Sequence, residues 1–352
     1  MKKIAVIPGD GIGVEVTEGS VSILNTAQNQ VYNKNIFQFE NFDWGSEYYF
    51  INNKMMPANA LEQLSKFDSI LLGAIGHPDV PDHITLNGLL LPIRRKFDQY
   101  VSVRPSYLWK NTTSVLRDAQ ELDFVVIREN SEGEYANIGG FLHMDNNYST
   151  SVQTAVFTKH GCTRIIKYAF EYAMKRRKKL KVTSITKSNA QAYGMVMWDE
   201  CFKNVSNDYP EIETNSLLVD AACMDLVRKP ETFDVIVASN LFGDILSDLG
   251  AGITGGMGVA PSSNINPDNN VPSMFEPVHG SAPDIAGKGI SNPIASILSA
   301  AMMADYLGYE KISFLIREAV QKTIENKIFT PDLGGSNSTE EVIKSVEYNL
   351  VN

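Results

Sequence analysis

The sequence has 352 residues, is 43% apolar, and sets 31 Lys and Arg against 41 Asp and Glu for a formal charge of −10 at pH 7. That length accommodates two ordinary domains or one large one, each able to bury a core. The acidity excludes a protein whose surface is built to hold nucleic acid or an anionic membrane, so an anionic ligand would need a local basic pocket.

The first predicted element is a strand over residues 4–7. It follows Met1-Lys2-Lys3, and its apolar run is too short for a signal peptide. No apolar run elsewhere approaches the roughly 20 residues of a membrane span, so a cytoplasmic location is expected. Gly9-Asp10-Gly11-Ile12-Gly13 comes next. Its spacing is not the G-x-G-x-x-G of a Rossmann fingerprint, and no acid stands about 20 residues on to hold a ribose. It reads at least as well as a tight strand-to-helix turn that uses glycine's freedom at positive φ.

Further short apolar runs at 69–74, 124–127, 181–185, 216–219 and 234–238 alternate with segments of helical period, the pattern of an α/β sheet. One such helix carries Cys162, Ile165, Ile166, Ala169, Phe170, Ala173 and Met174 on a single face. Its basic end, 175–179, suits the negative pole of the helix dipole better than it suits a polyanion site. Cys162, Cys201 and Cys223 are odd in number and lack Cys-x-x-Cys spacing, which predicts reduced thiols. Gly-rich stretches at 250–258 and 280–289 are shaped loops, and 293–307 is apolar enough to be core. No Pro/Ser-rich linker divides the chain, so a domain boundary must be crossed by the sheet or by short connections.

Ligands of open α/β sheets bind beyond the carboxyl ends of the strands. The residues that close the apolar runs are Arg128, Lys187, Asp220, and Asn240 with Asp244. Asp244 and Asp248 are four apart and share a helix face, where like charges repel. Two readings stay open there: a solvated face near a helix N-terminus, or a hard-cation site for Mg²⁺ or Mn²⁺ completed by Asp220. Arg94 and Arg104 bracket a segment in which guanidinium groups could grip carboxylates bidentately, with Arg128 as a third clamp. Arg95 and Lys96 read as ordinary surface charges. The polar loop 276–287 can wrap an adenosine, with His279 against the base or a phosphate and Asp284 on the ribose hydroxyls. An acid there repels a 2′-phosphate and so selects NAD over NADP.

Taken together, "GDGIG", the Arg94/Arg104 spacing, "RENSEGEY" (128–135), Lys187 with Asn189, Asp220, "NLFGDILSD" (240–248) and "EPVHGSAPDIAG" (276–287) resemble the β-decarboxylating dehydrogenases over nearly the whole chain. That family includes the 3-isopropylmalate, isocitrate and tartrate/D-malate enzymes. The resemblance implies an α/β, two-domain, isopropylmalate dehydrogenase-like fold that is not a Rossmann fold, with the active site in a cleft between domains. Residues 1–99 and 253–352 would form the cofactor domain, and 100–252 the substrate, metal and dimerisation domain. It further implies NAD-dependent oxidation and decarboxylation of a 2-hydroxy dicarboxylic acid by a homodimer with shared sites.

By the same resemblance, Arg94, Arg104 and Arg128 bind the substrate carboxylates, and Asn87 and Leu90 face its variable group. Lys187 is the base and Tyr135 the acid. Asp220, Asp244 and Asp248 hold Mg²⁺ or Mn²⁺, with Lys187 and Asp220 reaching in from the partner subunit. Glu276, His279, Gly280, Ser281, Ala282, Asp284 and Asn292 hold NAD, and the resemblance leaves room for K⁺. The loop 77–100 looks closest to the tartrate/D-malate branch, except that Asn87 replaces that branch's usual tryptophan. The alternatives are a 3-isopropylmalate dehydrogenase and, in another class, a regulatory subunit without turnover.

Overall fold

A computed structural model describes every residue except 118–120 and 146. Its strands are β1 (Lys2–Gly9), β2 (Phe37–Asn41), β3 (Ser69–Ala74), β4 (Val101–Tyr107), β5 (Asp123–Glu129), β6 (Gly133–Leu142), β7 (Thr150–Val156), β8 (Lys181–Thr186), β9 (Glu213–Leu218), β10 (Val235–Ala238), β11 (Pro261–Ile265) and β12 (Ser273–Pro277). The chain divides into two units, one of Met1–Gln99, Arg104–Gln120 and Ala251–Asn352, the other of Tyr100–Val103 and Glu121–Gly250. The sequence places all of 100–252 in the second domain, whereas here Arg104–Gln120 joins the termini and the boundary cuts β4 after Val103. Hydrogen bonds explain the difference: Asn111 Nδ2 donates to the Glu325 carbonyl at 3.0 Å and Ser114 Oγ to that of Ile253 at 2.6 Å.

In the first unit the strand order is β2-β1-β3-β12-β11, parallel except for the antiparallel pair β11/β12. Every residue of β3 is buried, as expected of a parallel strand covered on both faces. The helix Ile294–Tyr306 is buried nearly all round, which is why its sequence shows no polar face. It meets the helix Gly13–Tyr32 through Ser20 Oγ and Ser296 Oγ, 2.8 Å apart. The last helix, Thr339–Val351, starts with a capping box between Ser338 and Glu341.

In the second unit β5-β10-β8-β9 are all parallel. The expected strand at 216–219 is β9, which starts earlier and stops before Val219, the first residue of the helix Val219–Arg228. As the edge strand, β9 leaves its first four residues exposed, so an apolar run marks only its covered end. The helix Lys159–Arg176 buries its apolar face and is capped by Thr158, whose Oγ1 accepts from Gly161 N. Its basic end is bonded within the unit. Arg176 Nε donates to Asp234 at 2.8 Å, Lys178 pairs with Asp123 at 3.2 Å, and Lys179 Nζ meets the Phe233 carbonyl at 3.0 Å.

Among the described residues β6 and β7 pair only with each other, as an antiparallel hairpin. Phe141, Leu142 and Val152 on it are exposed, so no buried periodicity marks these strands in the sequence. The three cysteines are free, and burial, then the neighbouring Cys201, pushes the Cys162 thiol up to about 12. Among the described residues no helix is long and apolar enough to cross a membrane.

Candidate active site

Because β5, β10, β8 and β9 are parallel neighbours, their carboxyl ends lie along one rim of the second unit's sheet. Arg128 is the penultimate residue of β5, Asn240 opens the helix Asn240–Ile253 after β10, Lys187 follows β8, and Asp220 sits in the first helical turn after β9. These residues form two separate groups. In the first, buried Arg128 donates from Nε and Nη2 to Asn240 Oδ1 at 3.1 and 2.7 Å, and from Nη1 to Asp244 Oδ1. Tyr135 OH donates to the other Asp244 oxygen at 3.1 Å, and the guanidinium stands 5.3 Å from the centre of the Tyr135 ring. A side chain at Gly243 would bring a Cβ within 2.7 Å of Arg128 Cβ, so glycine is what lets this helix close onto the guanidinium.

Tyr135 is presented by a turn that the sequence builds locally. Buried Glu129 accepts from Ser131 N at 2.9 Å, Ser131 Oγ at 2.5 Å and Glu132 N at 2.8 Å. Burial pushes the Glu129 carboxyl up, while these donors pull it down. Asn240 Nδ2 donates to the Glu132 carbonyl at 3.1 Å and so ties the turn to the Arg128 group.

The second group is Lys187 Nζ and Asp220 Oδ1, 2.5 Å apart. The Lys187 hydrogen bond holds the Asp220 carboxyl below its usual range. Asp244 and Asp248 do share one helix, yet among the described residues no three acidic, His or Cys side chains are grouped to hold a metal. The resemblance implies Asp220 from a partner subunit, and within one chain the described residues do not group Asp220 with Asp244 and Asp248. Asp220 is engaged by Lys187 at β8/β9, and Asp244 by Arg128 and Tyr135 at β5/β10.

The remaining predicted residues belong to the first unit. Arg104 is buried on β4, and Arg94 Nη2 donates to Glu276 Oε1 at 2.9 Å. The sequence assigns Arg94 to substrate and Glu276 to cofactor, and gives no sign that they pair. Leu86–Leu90 is a π-helical turn, a distortion common at functional sites. Within it Asn87 is exposed and bonds back to the His83 carbonyl at 2.7 Å, whereas Leu90 packs in the core with Leu89, Ile93 and Phe97.

Along the 276–292 loop, Gly280 and Asp284 are exposed and Ser281 is buried. Ala282 adopts a positive φ of 39°. The Ser281 carbonyl accepts from Ile12 N at 2.8 Å, and a Cβ at Gly11 would fall 2.1 Å from that oxygen. The N-terminal glycine turn thus packs directly on this loop. Asp10 anchors it, accepting from Ser46 N and Oγ at 2.7 Å each and from Gly76 N at 2.8 Å. Asn292 is occupied by protein partners, donating to Asp332 at 3.0 Å and accepting from Ile294 N at 3.0 Å.

His279 Nδ1 is 2.9 Å from the Gly280 carbonyl. A carbonyl only accepts, so Nδ1 carries the proton. Nε2 is then an acceptor, buried and without a partner among the described residues. Burial pushes this imidazole below its usual range, so the neutral form is favoured.

The profile of the isocitrate/isopropylmalate dehydrogenases matches residues 3–346. The chain belongs to that family. It is 49% identical over 346 residues to a probable tartrate dehydrogenase/decarboxylase of Agrobacterium vitis, covering 98% of this chain and 96% of that one. It is 47% identical to the D-malate dehydrogenase [decarboxylating] of Escherichia coli (strain K12), covering 98% and 97%. Isocitrate dehydrogenase from Methylococcus capsulatus superposes with a TM-score of 0.91 at 33% identity, covering 100% of both chains. The fold is thus the α/β architecture of this dehydrogenase family.

Proposed function

We propose that the chain oxidises D-malate, tartrate or both at C2 with NAD and decarboxylates the product. The observation that carries this reading is the Arg128–Asp244–Tyr135 group: a fixed guanidinium, a carboxylate and a phenol in one hydrogen-bonded set at the ends of parallel strands. Arg94, Arg104 and Arg128 bind the substrate carboxylates, to which a planar guanidinium is matched in shape and charge. Lys187, in its neutral amine form, takes the C2 hydroxyl proton, and Tyr135 returns a proton at C3 after CO₂ leaves. Asp244 and Asp248, with Asp220 of a second copy, would hold Mg²⁺ or Mn²⁺, which would supply Lewis-acid polarisation of the substrate oxygens, and bound NAD would supply the hydride acceptor.

On the cofactor side, a buried acceptor at His279 Nε2 suits an N–H of the adenine base and not a phosphate oxygen. Exposed Asp284 suits ribose hydroxyls and disfavours a 2′-phosphate. Leu90 and Leu91 are both buried, which leaves them poorly placed to line a pocket for an isopropyl group and supports a small polar substrate over 3-isopropylmalate.

A homodimer completes the site. An isolated two-stranded hairpin is marginal in water, and β6–β7 carries Phe141 at 69% exposure. The same unit exposes Met224 and Val227 on the helix Val219–Arg228 that carries Asp220, so a second copy would cover apolar surface and bring Lys187 and Asp220 to the neighbouring site. The test is a steady-state panel with NAD⁺ and Mn²⁺, with and without K⁺, on D-malate, tartrate, 3-isopropylmalate and isocitrate. D-malate or tartrate should give the highest kcat/KM. A preference for 3-isopropylmalate or isocitrate would overturn the substrate, and equal rates after exhaustive chelation would overturn the metal.

A further inference from the structure

β11 and β12 run antiparallel, with Ser262 opposite Glu276 and Asn264 opposite Met274. Side chains alternate along a strand, so Asn264 shares a face with Ser262 and is the diagonal neighbour of Glu276. β11 is buried at every residue, and Asn264 exposes no surface. A buried amide is tolerated where it is bonded. Asn264 Nδ2 donates to Glu276 Oε1 at 2.6 Å, the same oxygen that receives Arg94 Nη2 at 2.9 Å.

The helix Leu91–Lys96, which carries Arg94, is held to these strands elsewhere too. Asn266 Nδ2, just past β11, donates to the Phe97 carbonyl at 3.2 Å. Gln99 Nε2 donates to the Pro272 carbonyl, just before β12, at 2.9 Å. The helix is thus pinned beyond its C-terminal end, while the guanidinium itself is set by the Glu276 carboxylate.

We propose that Asn264 is a positioning residue for Arg94: it fixes the Glu276 carboxylate, which fixes the guanidinium, so the substrate carboxylate meets a clamp already in place. Without the Asn264 donor, Glu276 can turn about its side-chain bonds, and Arg94 follows its charge. Ordering the clamp then falls on substrate binding, which weakens affinity. The proposal rests on the reading of Arg94 as a substrate ligand.

The test compares Asn264→Asp with Asn264→Leu, measuring kcat, KM for the hydroxy dicarboxylate and thermal unfolding. Asn264→Asp keeps the shape but replaces the donor with an oxygen facing Glu276, so KM should rise about tenfold or more while kcat changes far less. A packing role predicts the opposite order, with the isosteric Asp mild and Leu severe. Adding Glu276→Gln to Asn264→Asp swaps donor and acceptor, and should recover at least threefold of the lost KM. Should either single variant not fold, Asn264→Ser, which shortens the donor without adding charge, should still raise KM at least threefold. Folded variants with KM within twofold of wild type would overturn the proposal. A wild-type protein that turns over no hydroxy dicarboxylate would instead overturn the functional reading, and this inference with it.

Discussion

The two charged groups at the strand ends of the second unit are built in opposite ways. Arg128 is 3% exposed in its side chain and is enclosed by Asn240, Asp244, Tyr135 and the missing side chain of Gly243. Lys187 and Asp220 are 27% and 64% exposed. A buried guanidinium with a full set of partners is finished by its own chain. An exposed ion pair adds little to stability because water competes for both ions, so Lys187 and Asp220 are not explained by folding. On the proposed dimer, the contrast would separate a half-site completed at folding from a half-site completed by another surface.

The largest effect that tests this contrast is loss of the proposed base. Lys187→Ala should lower kcat by about 10³-fold, within the 10²–10⁴ range of general acid–base catalysis, with the melting temperature nearly unchanged. Arg128→Ala should also abolish activity, but at a stability cost of roughly 3–5 kcal/mol, because it strips a buried network of its cation. Calorimetry and steady-state rates on both variants check this. Equal destabilisation of the two would erase the distinction between the groups.

Subunit mixing sharpens the comparison. Inactive Lys187→Ala and inactive Tyr135→Phe, combined in equal amounts under conditions of proven exchange, should regain about one quarter of wild-type activity. Half the dimers are then mixed, and each mixed dimer holds one intact site of two. No recovery, or an active monomer at assay concentration, would show that each chain builds its own complete site.

What the sequence makes legible follows burial. β1, β3, β5, β8 and β10 stand out as apolar runs because both faces are covered. Half of β9 is hidden from such a reading because it is an edge strand, and the β6–β7 hairpin escapes it because its apolar side chains face outward. The strand-end residues Arg128, Lys187, Asp220 and Asp244 are visible one by one. Their grouping is not, since Arg128 and Asp244 lie 116 positions apart and Arg94 and Glu276 lie 182 apart. Nor does the sequence show that Asp220 and Lys187, 33 positions apart, pair within one chain. The signal for Asn264 was present but faint: a strand reading Pro-Ser-Ser-Asn-Ile is too polar to be buried unless its side chains are hydrogen-bonded.

His279 carries the smallest effect and extends the contrast to the first unit, since one ring nitrogen is bonded by the chain and the other has no partner among the described residues. Burial lowers its affinity for a proton, against the pull of the Gly280 carbonyl, Asp332 and Glu276. The unfolded imidazole, with its ordinary value of 6.5, therefore binds a proton that the folded one resists. The stability due to His279 is fully present above that value and declines as pH falls below it. Protonation also turns Nε2 from acceptor to donor, so NAD binding should weaken in the same direction, by a few-fold between about pH 7.5 and 5.5. His279→Gln cannot titrate and should give a flatter dependence of both denaturation midpoint and KM for NAD⁺. Parallel pH profiles for wild type and variant would show that folding leaves the proton affinity of this imidazole unchanged, and would remove the argument from burial for a neutral ring that accepts a hydrogen bond from the adenine.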